Sequence, residues 1–128
     1  RFALIKAGKA DPTQPQADLI PAGEELANAI AAIQNKPGRD NILKAALAPV
    51  VGLYDLILID TPPDINTLLI NALAASDTVL LPMQATLFCF MGLQQMGETI
   101  AQVKEYCNPN LGITGIVLTK HNPRSARA

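Results

Sequence analysis

Residues Tyr54–Asp64 read YDLILIDTPPD, and the reading of this stretch decides the fold. Leu56, Ile57, Leu58 and Ile59 run without a polar break and end on the carboxylate of Asp60. Thr61, Pro62 and Pro63 then stop the run. A short continuous apolar run bounded by turn residues predicts a strand buried on both faces. In an open parallel sheet, ligands sit outside the carboxyl ends of the strands. Asp60 is therefore expected at an exposed edge while its strand is buried.

Segments on both sides alternate in kind. Upstream, Arg1–Pro15 carries Gly8, Pro12 and Pro15 with little periodicity and reads as irregular. Ala17–Ile20 reads as a short strand stopped by Pro21. Glu24–Gln34 has Leu26, Ala29, Ile30 and Ile33 at helical spacing. Lys36-Pro37-Gly38 breaks that helix, and Asp40 is placed to cap the next, Asn41–Ala48. Arg39 and Lys44 read as a solvated face.

Downstream, Asn66–Ala75 reads as a helix capped by Asp64 or Asn66. Asp77–Leu81 predicts a second buried strand, ended by Pro82. Leu93, Met96, Ile100, Val103 and Cys107 recur three and four apart and predict a long amphipathic helix, with Asn108-Pro109-Asn110 at its end. Ile113–Leu118, led by Gly112, predicts a third buried strand. Strands alternating with helices imply crossover connections and an α/β fold, a parallel sheet flanked by helices. The strand ends at Asp60, Pro82 and Thr119 are then expected along one sheet edge.

Composition narrows the function classes. The 128 residues suffice for one compact domain, and 49% hydrophobic against 16% charged marks a globular chain. A net charge of −1 excludes a strong overall pull on nucleic acid, though not a local basic patch. Cys89 and Cys107 are too far apart for a C-x-x-C site, the single His121 cannot build a zinc site with them, and the cysteines read as two reduced thiols. The apolar stretch Leu68–Met83 is interrupted by Ser76-Asp77 and is too short to span a bilayer. The chain opens on Arg1 rather than Met and reads as a piece of a longer protein, a processed form or an incomplete gene product.

An apolar strand ending in Asp suits the Mg²⁺ side of a phosphate-transfer site, where a fixed carboxylate holds the metal through water. The same pattern also serves as a plain helix cap. From the strand alone both readings stay open. The Pro62-Pro63 pair forbids direct helical continuation and shapes a loop there.

The longer stretch YDLILIDTPPDINTLLINALAASDTVLLPMQ, the Gly92-Leu93 helix start and NPNLGITGIVLTKHNPRS together resemble the ParA/MinD family of P-loop ATPases. The partitioning branch, ParA/Soj, is the best match. DLIPAG and GRDNILKAAL fit the same order, so the resemblance runs from about Ala17 to Ser125. It implies a partial P-loop NTPase fold of the SIMIBI type, with Asp60 as the Walker B carboxylate holding Mg²⁺ through water. Thr61 and Pro62 match the positions that follow in that motif. It also implies ATP as cofactor, nonspecific DNA and a ParB-type centromere-binding protein as partners, self-association, no membrane anchor, and a cytoplasmic, nucleoid-associated location.

Thr119 and Asn122 fall on the base side of the implied nucleotide site, where TKHN loosely resembles a purine-reading loop. An ordinary Asn-Pro turn is an equally open reading of Asn122. Arg124 matches a basic position tied to DNA binding in this branch, with Lys120 and Arg127 near it in sequence. A solvated loop is the competing account. The family's phosphate loop, KGGxGKT, has no counterpart: Lys6-Ala7-Gly8-Lys9-Ala10 has the wrong spacing and no Ser or Thr. The chain alone is therefore expected neither to bind ATP tightly nor to hydrolyse it.

Two other classes fit parts of the pattern. A truncated ParA-like chain could serve as a non-catalytic interaction module. A signalling receiver domain also ends strands in Asp and Lys, but Ala17–Ile20 is followed by Pro21-Ala22-Gly23 rather than acids, and Lys120 is not followed by Pro.

Overall fold

The computed structural model describes residues 2–6, 16–23, 25–62 and 64–120. It divides into two compact units, residues 1–75 and 76–128.

In the first unit, β1 (Phe2–Lys6) lies between β2 (Gln16–Ile20) and β3 (Leu56–Ile59), antiparallel to both. Phe2–Lys6 is thus a strand where its sequence predicts an irregular segment, while residues 7–15 of the same stretch lie outside the described residues. Phe2–Ile5 is apolar, and its backbone pairs with two neighbouring strands at once, which outweighs its lack of periodicity. Phe2 stands opposite Ile20 on one side and Ile59 on the other. Hence β2 and β3 run in the same direction, and their carboxyl ends meet one sheet edge.

Helix α1 (Glu25–Ile33) turns Leu26, Ala29, Ile30 and Ile33 to its half-buried side, as their spacing predicts. A 3-10 turn, Arg39–Asn41, leads into α2 (Ile42–Leu47). Asp40 does not cap α2: the cap position is Asn41, with no side-chain bond, because the 3-10 turn already occupies Asp40. A second 3-10 turn, Val51–Leu53, precedes β3. Helix α3 (Thr67–Ala75) is the best-buried element of the unit, with Leu69, Asn71, Ala72, Leu73 and Ala74 all buried. Asn66 is its cap, as its side-chain oxygen accepts from the Leu68 and Leu69 amides at 2.9 and 3.2 Å.

The second unit is a β-α-β crossover. Strands β4 (Thr78–Gln84) and β5 (Gly112–Thr119) are parallel, joined through α4 (Leu87–Tyr106). Helix α4 buries Ile100 and Val103 fully and half-buries Leu93, Met96 and Cys107, which is the predicted stripe. Thr86 caps it, and Asn108 closes its far end by donating to the Ser76 carbonyl at 2.7 Å. Leu111, with 0% exposure, seats the turn into β5.

Pro82 lies inside β4 rather than ending it. Among the described residues β4 is bonded to β5 alone, and a proline is tolerated in a strand where its missing N–H faces away from the ladder. A one-residue slip between Val79 and Leu80 leaves Thr114 as a bulge in β5.

Three strands expected to be buried on both faces are not. Leu56 and Leu58 are 50% and 47% exposed. Leu80 of β4 and Ile113, Ile116, Val117 and Leu118 of β5 are exposed as well. The apolar runs were legible as strands, but whether a second face is covered depends on neighbouring elements, which a run of Leu and Ile cannot report. Among the described residues, hydrogen bonding joins β2, β1 and β3 in the first unit and β4 and β5 in the second.

Candidate functional site

Asp60 is exposed at the first position beyond β3. Four paired residues upstream, Leu56–Ile59, fix the backbone that delivers it. Thr61 behind it is half-buried and Pro62 exposed. Pro63 lies outside the described residues. The chain then enters α3 through the Asn66 cap. Asp60 thus sits between a paired strand and a buried helix, two rigid supports within a few residues. The shared edge places the Pro21-Ala22-Gly23 turn, which follows β2, at the same end of the sheet as Asp60.

Among the described residues there is no group of three or more His, Cys, Asp and Glu that could hold a metal ion. A protein-only metal cage is therefore not present in them. An exposed carboxylate on a rigid support does fit Mg²⁺, which keeps most of its water and takes one or two protein carboxylates plus phosphate oxygens. Asp60 is the residue that would hold it, and phosphates would complete the shell.

The second unit carries the other sequence-derived positions. Gln84 and Thr119 are register partners at the carboxyl ends of β4 and β5. The Thr119 hydroxyl donates to the Met83 carbonyl at 3.1 Å and ties the two ends together. Lys120 follows with φ 52, a left-handed backbone in a non-glycine residue, and it is exposed. Such a residue re-aims the chain at once beyond the strand. Asn122 and Arg124 lie outside the described residues, so their expected roles have no geometry here.

Two groups have displaced acidities. The Tyr54 hydroxyl donates to Asp18 Oδ2 at 2.7 Å. That hydrogen bond, then burial and the Asp18 charge, pushes the phenol above its ordinary value of 10.0. Cys89, in the first turn of α4, is held below the usual thiol value of 9.0 by hydrogen bonding to Thr86 and to the Gln84 backbone, against an opposing effect of burial.

Asn71 is the residue that sequence reasoning missed. It is buried at 4% exposure and its amide is fully used. Oδ1 accepts from the Leu43 amide at 3.1 Å, and Nδ2 donates to the Arg39 and Thr67 carbonyls at 2.7 and 2.9 Å. The one available signal was an Asn on a helix whose other members, from Leu68 to Ala75, are all apolar or small.

A β-α-β crossover and an apolar strand ending in an exposed Asp, with a buried helix after it, fit the α/β class of fold to which P-loop ATPases belong. The family model "AAA domain" matches residues 4–113, and the chain belongs to this family, to its ParA/MinD-type P-loop ATPases. The chromosome partitioning protein ParA of Myxococcus xanthus is 40% identical over 107 residues, covering 84% of this chain and 38% of that protein. The sporulation initiation inhibitor protein Soj of Bacillus subtilis is 40% identical over 108 residues, covering 84% and 43%. Among solved structures, cobyrinic acid a,c-diamide synthase of Mycobacterium smegmatis with bound ADP and magnesium superposes with TM-score 0.80 at 34% identity, covering 86% of this chain and 44% of that one. The same enzyme with a bound ATP analogue and magnesium matches equally, at TM-score 0.80. The chain thus spans less than half the length of these relatives.

Proposed function

We propose that this chain is the Mg²⁺-side portion of a ParA-like ATPase that works in chromosome or plasmid partitioning. The observation that carries this reading is the placement of Asp60, exposed at the end of a paired apolar strand and braced by α3, inside the stretch shared with the partitioning relatives. Asp60 would hold Mg²⁺ through water, with Thr61 and Pro62 shaping the loop beside it. Thr119 would set the base side together with Asn122. In the whole protein ATP would drive dimerisation, Lys120 and Arg124 would meet DNA phosphates without sequence preference, and a ParB-type protein would be the partner. A cytoplasmic, nucleoid-associated location follows from that role. No helix among the described residues is long and apolar enough to cross a membrane. The phosphate-cradling loop would come from a segment outside this sequence, so the chain belongs to a single ATPase domain of which it forms the central and later part.

A second reading is favoured by the solved structures, which are of a diamide synthase. Both readings use the same nucleotide and metal and differ in what the energy is spent on. DNA binding separates them. With a KGGxGKT-bearing segment restored upstream, the partitioning reading expects ATP-dependent binding to random-sequence DNA that weakens with salt. Arg124→Ala is expected to weaken it and Asp60→Ala to remove its dependence on ATP. Nucleotide binding with no DNA binding at any salt concentration would favour the synthase reading.

A further inference from the structure

The stretch between α1 and β3 is held unlike its surroundings. Neither 3-10 turn nor α2 contains a buried residue, whereas α3 beside them has five. Leu43 and Leu47 are half-buried, while Ile42, Val51 and Leu53 are exposed. Helix α2 has only six residues, far too few to be stable by itself. Apolar burial therefore contributes little to its attachment.

Polar attachment is concentrated on one side chain. Asn71 reaches from α3 to the Arg39 carbonyl and the Leu43 amide, on either side of the joint between the first 3-10 turn and α2. Its third bond, to the Thr67 carbonyl, returns to its own helix and fixes the amide's orientation. The stretch also has well-defined ends. Gly38 opens it at φ 69, a left-handed conformation with open space around it that a glycine adopts without strain. At the other end, the Tyr54–Asp18 hydrogen bond ties the chain to β2 just before it enters β3.

We infer that Arg39–Leu53 is a strap latched onto α3 by Asn71, and that it opens as a unit while α3 and the strands stay folded. Segments with few buried apolar groups occupy the low end of the range of local opening free energies. Opening would uncover the Leu43 and Leu47 side of α2 and the Asn71 amide together, an apolar strip with a polar centre. That surface is hidden only while the latch is closed. The strap runs directly into β3, the strand that delivers Asp60, and the Tyr54–Asp18 bond keeps the start of that strand in place when the strap opens.

The test is hydrogen exchange of the full 128-residue chain read by mass spectrometry. In the unaltered chain, amides of α2 should exchange faster than those of α3. Asn71→Leu keeps the side-chain volume and removes the latch. Exchange across 39–53 should then rise about 10- to 50-fold, the weight of two backbone-directed hydrogen bonds, while α3, β4 and β5 change less than about twofold. Asn71→Asp keeps the acceptor for Leu43 but loses both donors, and should give a rise confined to the same peptides. It stands in if Asn71→Leu does not fold. An equal rise in α3 and the strands with either variant would make Asn71 an ordinary core residue and overturn the proposal. No change within 39–53 would overturn it as well.

Discussion

The Thr119 hydroxyl donates to the Met83 carbonyl at 3.1 Å and so joins the carboxyl ends of two parallel strands. The bond lies at an exposed edge, so its weight is modest. Thr119→Val should lower stability to urea by about 0.5 kcal/mol, and Thr119→Ser should restore it. In a chain able to bind nucleotide, Thr119→Val should weaken ATP binding more than it weakens the fold. Equal effects would reduce Thr119 to a structural tie.

Leu111 is fully buried at the turn into β5. Leu111→Ala removes buried methyl groups and leaves a cavity, at a cost of about 3 kcal/mol in chemical denaturation. A loss below about 1 kcal/mol would mean that the turn can collapse around the gap.

Tyr54 reports the β2–β3 tie directly. Its acidity is weakened in the folded chain, so in a Tyr106→Phe background its phenolate absorbance should reach half-height above pH 10.0. The sign follows from linkage. A raised folded value means that the stabilisation is fully present below the unfolded phenol value, and is lost as pH climbs through the folded one. Asp18→Asn should bring the midpoint back down. An unshifted midpoint in the unaltered protein would mean that the bond does not persist in solution.

Cys89 should be the more reactive of the two cysteines at neutral pH. In Cys107→Ser protein the alkylation rate should reach half its maximum below pH 9.0, since hydrogen bonding to Thr86 and the Gln84 backbone favours the thiolate. Thr86→Val should move the midpoint upward. A midpoint at or above 9.0 in the parent would contradict the arrangement.

Much of the fold was legible in the sequence where one local signal sufficed. The Leu93, Met96, Ile100, Val103, Cys107 stripe names the buried side of α4, and the unbroken Leu56–Ile59 run bounds β3 at both ends. Signals that depend on partners were not legible. Strand β1 has no periodicity of its own and exists because two neighbours pair with it. Exposure of Leu56 and Leu58 depends on what lies over them, and the sense of pairing around β1 on a register that no local pattern encodes. Of the candidate site, the strand alone did not choose between a metal carboxylate and a helix cap, while the exposed position of Asp60 was legible because the apolar run stops there. Asn71 was not, because an Asn among apolar neighbours does not say which distant carbonyl it will meet.

The central claim is that Asp60 supplies the Mg²⁺ side of an ATPase whose phosphate loop lies in another segment. The most direct measurement exchanges the matching stretch of Bacillus subtilis Soj for this chain and follows phosphate release with and without Mg²⁺. The chimera should turn over ATP only with Mg²⁺, lose at least about 100-fold of that rate on Asp60→Ala, and leave the isolated chain inactive. A chimera whose Mg²⁺-dependent turnover survives Asp60→Ala, or an isolated chain that hydrolyses ATP, would contradict the account.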